Sequence, residues 1–253
     1  MTPLASKRAL VTGGGSGLGA AIALALAEAG ASVVIAGRRA DVLEAVAAKS
    51  ARVTFFAADV TNAQSVERLF GHVGKMLGGL DIVVANAGAA ASAAFRGTSL
   101  EAWRAQLDVN LTGVFLTFQH ALGLMPKDGD GRLIAIASTA ALKGYPYVAP
   151  YCAAKHGVLG LTRSLAAELA RSSITVNAVC PGFAETPLLE HSLATIMAKT
   201  GKSRQQAETA LKASNPQGRF VHPVEVAQAV LWLCGPNSAA ITGQAISVSG
   251  GET

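Results

Sequence analysis

A cluster of glycines near the N-terminus constrains the fold of this chain more than any other feature. Residues 12–19 read TGGGSGLG, between the short apolar run RALVTG at 8–13 and the Ala/Leu-rich run AAIALALAEAG at 20–30. The first run predicts a buried strand and the second predicts a helix that ends at Gly30. A glycine-rich turn in this position lets backbone N–H groups approach a pyrophosphate at the positive end of the helix. The combination favours a phosphate-binding site, whereas the glycines alone would indicate only a tight loop.

Short apolar runs and helical segments alternate along the rest of the chain. Further strands are predicted at 32–37, 52–59, 80–88, 132–138, 173–182 and 244–251, and helices at 62–77, about 100–124, about 150–171 and 223–234. Seven such strands predict an α/β fold with a doubly wound, mostly parallel sheet and helices on both faces. The 253 residues contain no linker or low-complexity run, so we expect one domain over 1–253.

Composition excludes several classes of protein. The chain is 51% hydrophobic with a mean hydropathy of +0.38, but its apolar runs are short and none is long enough to span a bilayer. The N-terminus leads into a strand without the apolar core of a secretory signal, so we expect a cytoplasmic protein. The three cysteines are widely spaced and the five histidines lack ligand spacing, so we expect neither disulfides nor a metal site.

The charge balance points to a small anionic ligand. Lys and Arg total 21 against 16 acidic residues, a net charge of +5, and no basic block is interleaved with aromatic residues. That pattern does not indicate a nucleic-acid-binding protein.

The stretch STAALKGYPYVAPYCAAK at 138–155 carries the chemistry. Tyr151 and Lys155 are four residues apart, so on a helix they lie on one face and point into one cleft. A nearby ammonium is expected to lower the pKa of a phenol and suit it to proton transfer with a carbonyl oxygen. Ser138 would hold that oxygen by a hydrogen bond. The alternative is a solvated helix face. Tyr145 and Tyr147 have no lysine four residues on and are expected to pack or to line a pocket.

The end of the second predicted strand bears on the choice of nicotinamide cofactor. A carboxylate there would hold the ribose hydroxyls of NAD, but the residues present are Gly37, Arg38 and Arg39. A guanidinium can grip a 2′-phosphate by charge-assisted hydrogen bonds, so NADP is favoured, with NAD still usable. In the alternative, these arginines are solvated or pair with Asp41 and Glu44.

Asp59 and Asn86 end two further predicted strands. Ligands of open α/β sheets sit beyond the carboxyl ends of the strands, so both side chains are candidates for contact with adenine and ribose. Asp59 is equally suited to capping the helix that begins near Thr61.

Taken together, these motifs resemble the short-chain dehydrogenase/reductases. The resemblance covers essentially the whole chain and rests on TGGGSGLG, Asp59-Val60, ANAG at 85–88, Asn110, Ser138, Tyr151-x-x-x-Lys155, and Pro181-Gly182 with Thr186. It implies a single Rossmann-type domain, a nicotinamide cofactor and a homotetramer assembled through the long helices at about 100–124 and 150–171. A non-catalytic sensor of the nicotinamide redox state is the alternative from another class.

The resemblance also implies residue roles. Ser138 would orient the carbonyl, Tyr151 would be the acid and base, and Lys155 would hold the nicotinamide ribose. Asn110 would complete a proton-relay water site, and Thr186 would bond the carboxamide. Cofactor contacts are implied at Gly13, Ser16, Gly17, Leu18, Gly19, Arg38, Asp59, Val60, Asn86, Gly88, Tyr151, Lys155, Pro181, Gly182 and Thr186. Ser16 stands where many NADP-dependent members carry a basic residue, which weakens the preference for NADP.

Residues at about 187–222 are expected to form a helical lid over the substrate. The first half carries the apolar residues Leu188, Leu189, Leu193, Ile196 and Met197, which suit an acyl or aromatic group or plain core. The second half carries Lys199, Lys202, Arg204, Lys212 and Arg219 against Glu208, as a solvated face or a docking surface for a phosphopantetheine thioester. The expected substrate is a 3-oxoacyl or 3-hydroxyacyl thioester, or alternatively a small aryl or aliphatic secondary alcohol. The exact substrate, its stereochemistry and the physiological direction stay open.

Overall fold

The computed structural model describes residues 4–126 and 129–253. Its seven strands are β1 Arg8–Thr12, β2 Ser32–Gly37, β3 Val53–Ala57, β4 Ile82–Ala85, β5 Gly131–Ile136, β6 Ile174–Pro181 and β7 Ala245–Val248. They form one sheet in the order β3-β2-β1-β4-β5-β6-β7. Every neighbouring pair is parallel, so the predicted sheet is confirmed and is parallel throughout the described chain.

The helices of the described chain occupy the predicted positions, with one difference. They are α1 Gly17–Glu28, α2 Ala40–Ala47, α3 Ala63–Leu77, α4 Leu100–Leu107, α5 Gly113–Leu122, α6 Ala149–Glu168, α7 Pro187–Thr200, α8 Arg204–Lys212 and α9 Pro223–Cys234. The helix expected over about 100–124 is divided by a π-helical turn at Asp108–Thr112. A π turn adds one residue to the helical repeat, which the apolar spacing does not reveal.

Both faces of the sheet are buried under helices. Successive residues of one strand point to opposite faces, so Val33 and Ile35 of β2 pack with α1 and α9, whereas Val34 packs on the other side. All three are at most 1% exposed. Burial on both faces explains why the strands read as continuous apolar runs.

The order of strands creates a crevice between β1 and β4. The chain leaves β1 toward β2 and β3 on one side, then returns to β4 on the other side. Helices therefore diverge from this point, and ligands of such sheets bind here. The Thr12 hydroxyl accepts the Asn86 N–H at 3.1 Å, and Asn86 Nδ2 donates to the Thr12 carbonyl at 2.9 Å. These bonds fix the two strand ends relative to each other.

No helix of the described chain combines the length and the apolar character needed to cross a bilayer.

The closeness of α1 to the glycine turn generates a test of stability. A Cβ atom at Gly19 would lie 2.5 Å from Asn86 Nδ2 and 2.8 Å from the Gly13 carbonyl carbon. We expect Gly19→Ala to lower the free energy of unfolding by about 1–3 kcal/mol, because the backbone must shift to admit the methyl group. Thermal denaturation of the protein without added ligand measures this.

Gly71→Ala in α3 is the matched control. A Cβ atom at Gly71 meets nothing within 4 Å. Alanine there should raise stability by roughly 0.5–1 kcal/mol, because glycine costs about that much inside a helix. Equal effects of the two substitutions would contradict the close packing of α1 on the glycine turn.

Candidate active site

A cleft of about 630 Å³ lies over the carboxyl ends of the strands. It is lined by most of the predicted site residues, namely Gly13, Ser16, Gly17, Leu18, Arg38, Asp59, Val60, Asn86, Gly88, Asn110, Tyr151, Lys155 and Thr186. Four predicted residues are not part of this lining: Gly19, Ser138, Pro181 and Gly182. Ser138 directly follows Ile136 and Ala137, which do line the cleft, and Gly19 packs beneath the glycine turn.

The glycine turn has the geometry that an anionic ligand requires. Gly13 and Gly17 have positive φ angles of 66° and 52°, which residues with a Cβ atom rarely adopt. Ser16 precedes α1 in extended conformation, and its side chain makes no capping hydrogen bond. The first N–H groups of α1 therefore face the cleft without that partner, at the positive end of the helix dipole. This turn fits the pyrophosphate of a dinucleotide.

Two arginines follow β2 and reach the same cleft. Arg38 and Arg39 are exposed and line it next to Gly37. Neither forms an ion pair with Asp41 or Glu44 in the part of the chain that the structure describes, so of that alternative only solvated arginines remain. Both guanidinium groups are placed where a phosphate could bind.

Asp59 lines the cleft and also shapes the turn after β3. Its Oδ1 accepts the Thr61 N–H at 2.9 Å and the Thr61 hydroxyl at 2.8 Å. The N-cap of α3 is Asn62, so the capping role considered for Asp59 is filled by this residue instead. Burial raises the pKa of Asp59, but the Thr61 bonds and the Arg38 charge outweigh it, and the net pKa is lowered.

The π turn places Asn110 in the floor of the cleft. The side chain is fully buried, and its Nδ2 donates to the Ala89 carbonyl at 2.8 Å and to the Gln106 carbonyl at 3.0 Å. Its Oδ1 accepts the Ala89 N–H at 3.2 Å. Asn110 thus joins the π turn to the segment that follows β4.

Tyr151 and Lys155 share one face of α6, as their spacing predicts. Lys155 is 3% exposed, and its Nζ lies 5.6 Å from the centre of the Tyr151 ring. The ammonium donates to the carbonyl of Ile136, the last residue of β5, at 2.8 Å. That bond holds the lysine across the gap between α6 and the sheet.

The pKa of Tyr151 differs from the expectation. Burial raises it to about 12, and the hydrogen bond with Ser138 offsets only part of this effect. Burial also lowers the pKa of Lys155 to about 8. The expected lowering of the phenol pKa is therefore wrong, because burial disfavours the charged phenolate. At neutral pH the phenol is protonated and the lysine is charged.

The segment after β5 positions Ser138. Its hydroxyl accepts the Ala140 N–H at 3.1 Å and begins a short 3₁₀ turn at Thr139–Ala141. Tyr145 is half-buried and packs its ring edge-on to Phe183, as expected for a packing residue. Tyr147 is 67% exposed, so it does not pack in the core, and of its two expected roles only the lining of a pocket remains.

Comparison with known proteins agrees with this geometry. The family model described as Enoyl-(Acyl carrier protein) reductase matches residues 13–253. The putative ketoacyl reductase of Streptomyces coelicolor is 39% identical over 252 residues, 97% of each chain. This chain belongs to the short-chain dehydrogenase/reductases. The assignment confirms the predicted family, the fold class and the enzyme class, an oxidoreductase that uses a nicotinamide cofactor.

Two further members of the family are similar over nearly their whole length. The D-beta-hydroxybutyrate dehydrogenase of Rhizobium meliloti is 38% identical, and the match covers 98% of this chain and 99% of that protein. A crystal structure of a variant of actinorhodin polyketide ketoreductase with NADPH has a TM-score of 0.94 and 38% identity, over 97% of both chains.

In this short-chain dehydrogenase/reductase, the segment at 187–222 forms helices α7 and α8 with a small core of their own. Leu189 and Leu193 pack with Ala207 and Phe220, and the partly buried Ile196 packs against them, so three of the five residues of the expected apolar stripe are core. Leu188 and Met197 are 40% and 36% exposed and stay available for a ligand.

Three of the five cations in the basic half of this segment form ion pairs. Arg204 binds Glu190 at 2.7 Å and Glu208 at 2.8 Å, and Lys212 also binds Glu208, at 3.2 Å. Arg219 binds Glu225 at 2.7 Å. Counting charges within 199–219 missed Glu190 and Glu225, which folding brings in from outside that range. The ion pairs favour the solvated face over a docking surface for a carrier.

Several contacts of the site were not visible in the sequence. The Ile136 carbonyl, the Gln106 carbonyl and the Thr12 hydroxyl each hold a predicted site residue. Two of these are backbone groups, which no residue type signals. Thr12 had a signal, because a hydroxyl at the end of a buried apolar strand needs a polar partner.

The buried lysine generates a prediction about pH. The pKa of Lys155 is about 8 in the folded chain and 10.5 when it is unperturbed. Between these values the unfolded chain binds more protons at this residue, so its contribution to the free energy of unfolding rises with pH. We expect Lys155→Met to lose this rise.

Urea denaturation of both proteins without ligand, at about pH 7.5 and about pH 10, measures the difference. Groups remote from Lys155 titrate equally in the two proteins and cancel in the comparison. Parallel pH profiles of stability would contradict the depressed lysine pKa.

Proposed function

We propose that this enzyme reduces a ketone to a secondary alcohol with NADPH, and that its substrate is a 3-oxoacyl compound, most simply a thioester. The observation that carries the proposal is the pairing of a half-buried, protonated Tyr151 with Lys155 and Ser138 at the cleft that the glycine turn lines. The catalytic set is proposed to be Asn110, Ser138, Tyr151 and Lys155.

The proposed mechanism follows from the protonation states. When bound, the nicotinamide supplies a hydride to the carbonyl carbon. Ser138 holds the carbonyl oxygen by hydrogen bond, and Tyr151 gives that oxygen its proton as negative charge develops there. A phenol with a pKa of about 12 carries its proton at neutral pH, as a proton donor must. Lys155 stays charged below about pH 8, anchored on the Ile136 carbonyl, and stabilises the phenolate that remains.

The names of the relatives support the substrate class. A putative ketoacyl reductase, a polyketide ketoreductase and a hydroxybutyrate dehydrogenase are each 38–39% identical to this chain. Each of these names describes an enzyme that oxidises or reduces a keto or hydroxyl group of an acyl compound. The exposed Leu188 and Met197 of α7 offer apolar contact for an acyl chain, and we propose α7 and α8 as a lid over it.

A free 3-hydroxy acid or another small secondary alcohol is the second candidate. The ion pairs of α7 and α8 favour it, because they occupy three of the five cations that could dock a phosphorylated carrier. A panel of 3-oxoacyl thioesters, free 3-oxo acids and simple aryl and alkyl ketones, assayed by loss of NADPH absorbance, separates the two. Cofactor binding without turnover of any compound would instead support a non-catalytic sensor.

Tyr151→Phe tests the proton donor. It removes the hydroxyl and keeps the ring, so we expect kcat to fall about 10²-fold or more while the Kd for NADPH is nearly unchanged. Lys155→Ala should weaken cofactor binding as well as turnover. If Tyr151→Phe keeps more than about a tenth of the wild-type rate, another group donates the proton.

The cofactor preference rests on Arg38. A charge-assisted bond to a phosphate contributes roughly 1.5–3 kcal/mol, or about ten- to a hundredfold in affinity. Ser16 adds no second cation, so we expect the wild-type preference for NADP to lie near the lower end of that range of affinity. Arg38→Ala should raise KM for NADP far more than for NAD, and Gly37→Asp should reverse the preference by repulsion. Arg39→Ala is the matched comparison, since both arginines reach the cleft.

Steady-state kinetics of the wild type with both cofactors decide the preference. A kcat/KM clearly higher for NAD would mean that Arg38 does not hold a phosphate.

We also propose that residues 1–253 act as one domain in a cytoplasmic homotetramer. Leu100 of α4 and Phe115 of α5 are 55% and 43% exposed, which suits helices that pack against a second copy. Light scattering at micromolar concentration measures the assembly state.

A further inference from the structure

Glu252 places a buried carboxylate next to the segment that carries Ser138. Its side chain is 1% exposed. Burial of a carboxylate is costly unless the group is paired. The position of Glu252 therefore requires strong partners.

Those partners come from the segment after β5. Glu252 Oε1 lies 3.0 Å from the Lys143 ammonium and accepts a hydrogen bond from the Tyr145 hydroxyl. The Tyr145 oxygen lies 2.7 Å from the Thr139 hydroxyl. Because Tyr145 donates its only proton to Glu252, Thr139 must donate to Tyr145. The result is a chain of hydrogen bonds from the C-terminus to the residue that follows Ser138.

The same carboxylate also lies against the end of β6. Glu252 Oε2 is buried without a hydrogen-bond partner in the described chain, and a Cβ atom on Gly182 would lie 3.2 Å from it. The ring of Tyr145 meets that of Phe183 edge-on, with 6.1 Å between centroids. Glu252 thus stands between two predicted site segments, the turn after β5 and the end of β6.

We infer that Glu252 is a positioning residue, which through Tyr145 and Thr139 fixes the turn that holds Ser138 against the substrate carbonyl. The inference rests on the proposed function for its kinetic consequence, while the structural link stands independently. Burial, with the Glu252 hydrogen bond, raises the pKa of Tyr145 well above its usual value, so the phenol remains a donor at working pH.

The kinetic test uses Glu252→Ala, Tyr145→Phe and the double variant. We expect each single change to lower kcat about tenfold or more, because a small misplacement of a catalytic group is costly, with the Kd for NADPH unchanged. The double variant should be no slower than the slower single variant, since both remove one interaction. Glu252→Gln should keep most of the rate, as its amide oxygen can still accept the Tyr145 bond. Glu168→Ala, at an exposed acid in α6, is the matched control.

A measurement without substrate separates this inference from the proposed function. The N–H groups of Ala141, Leu142 and Lys143 bond within the turn, at 2.9, 2.9 and 3.0 Å. In Glu252→Ala their hydrogen exchange should be faster than in the wild type, with exchange in α1 unchanged. If the turn loosens but no ketone is reduced by the wild type, the proposed function fails, whereas the inferred role of Glu252 in holding the turn stands.

Two results would overturn the inference. One is unchanged exchange in the turn of Glu252→Ala. The other is an active wild type in which Tyr145→Phe retains full kcat, because that variant keeps the ring packing and removes only the link to Glu252.

Discussion

The site depends on the junction between the glycine turn and the end of β4. Asn86 donates to the Thr12 and Gly13 carbonyls, at 2.9 and 3.2 Å, and its own N–H is held by the Thr12 hydroxyl. Gly19 lies so close beneath the turn that a methyl group would clash. These contacts fix the N-terminus of α1 over the crevice where the strand order reverses. The other residues that line the cleft surround this helix end.

At the end of the cleft that holds Tyr151 and Lys155, desolvation has the largest effect on the pKa values. Lys155 and Tyr151 are both drawn toward their neutral forms by burial, which raises the phenol pKa and lowers the amine pKa. The lowering of the phenol pKa that the spacing of Tyr151 and Lys155 predicted does not occur, because burial is the largest cause of both shifts. The phenol therefore carries its proton at neutral pH, as a group that protonates a carbonyl oxygen must.

Much of the fold was predictable because local patterns and tertiary structure agree. The strands are buried on both faces and therefore read as apolar runs, and the helical spacing of Tyr151 and Lys155 was enough to place them together. Long-range partners were not predictable. Glu252 and Tyr145 are 107 residues apart, Arg204 and Glu190 meet through the packing of α7 and α8, and the Ile136 carbonyl leaves no trace in residue type. The charge count of a segment leaves out the charged residues that folding brings next to it from elsewhere in the chain.

The π-helical turn at Asp108–Thr112 has a consequence for how much length variation this region tolerates. In α4 only Gln106 is buried, whereas α5 buries Val114, Thr117, Phe118 and Ala121 against the sheet. One residue corresponds to about 100° of rotation in a helix. Removal of a single residue from the turn would swing that apolar face of α5 away from the sheet and draw Asn110 out of the floor of the cleft. The same extra residue thus sets both the packing of α5 on the sheet and the position of Asn110 in the cleft. A change in length here would disturb both.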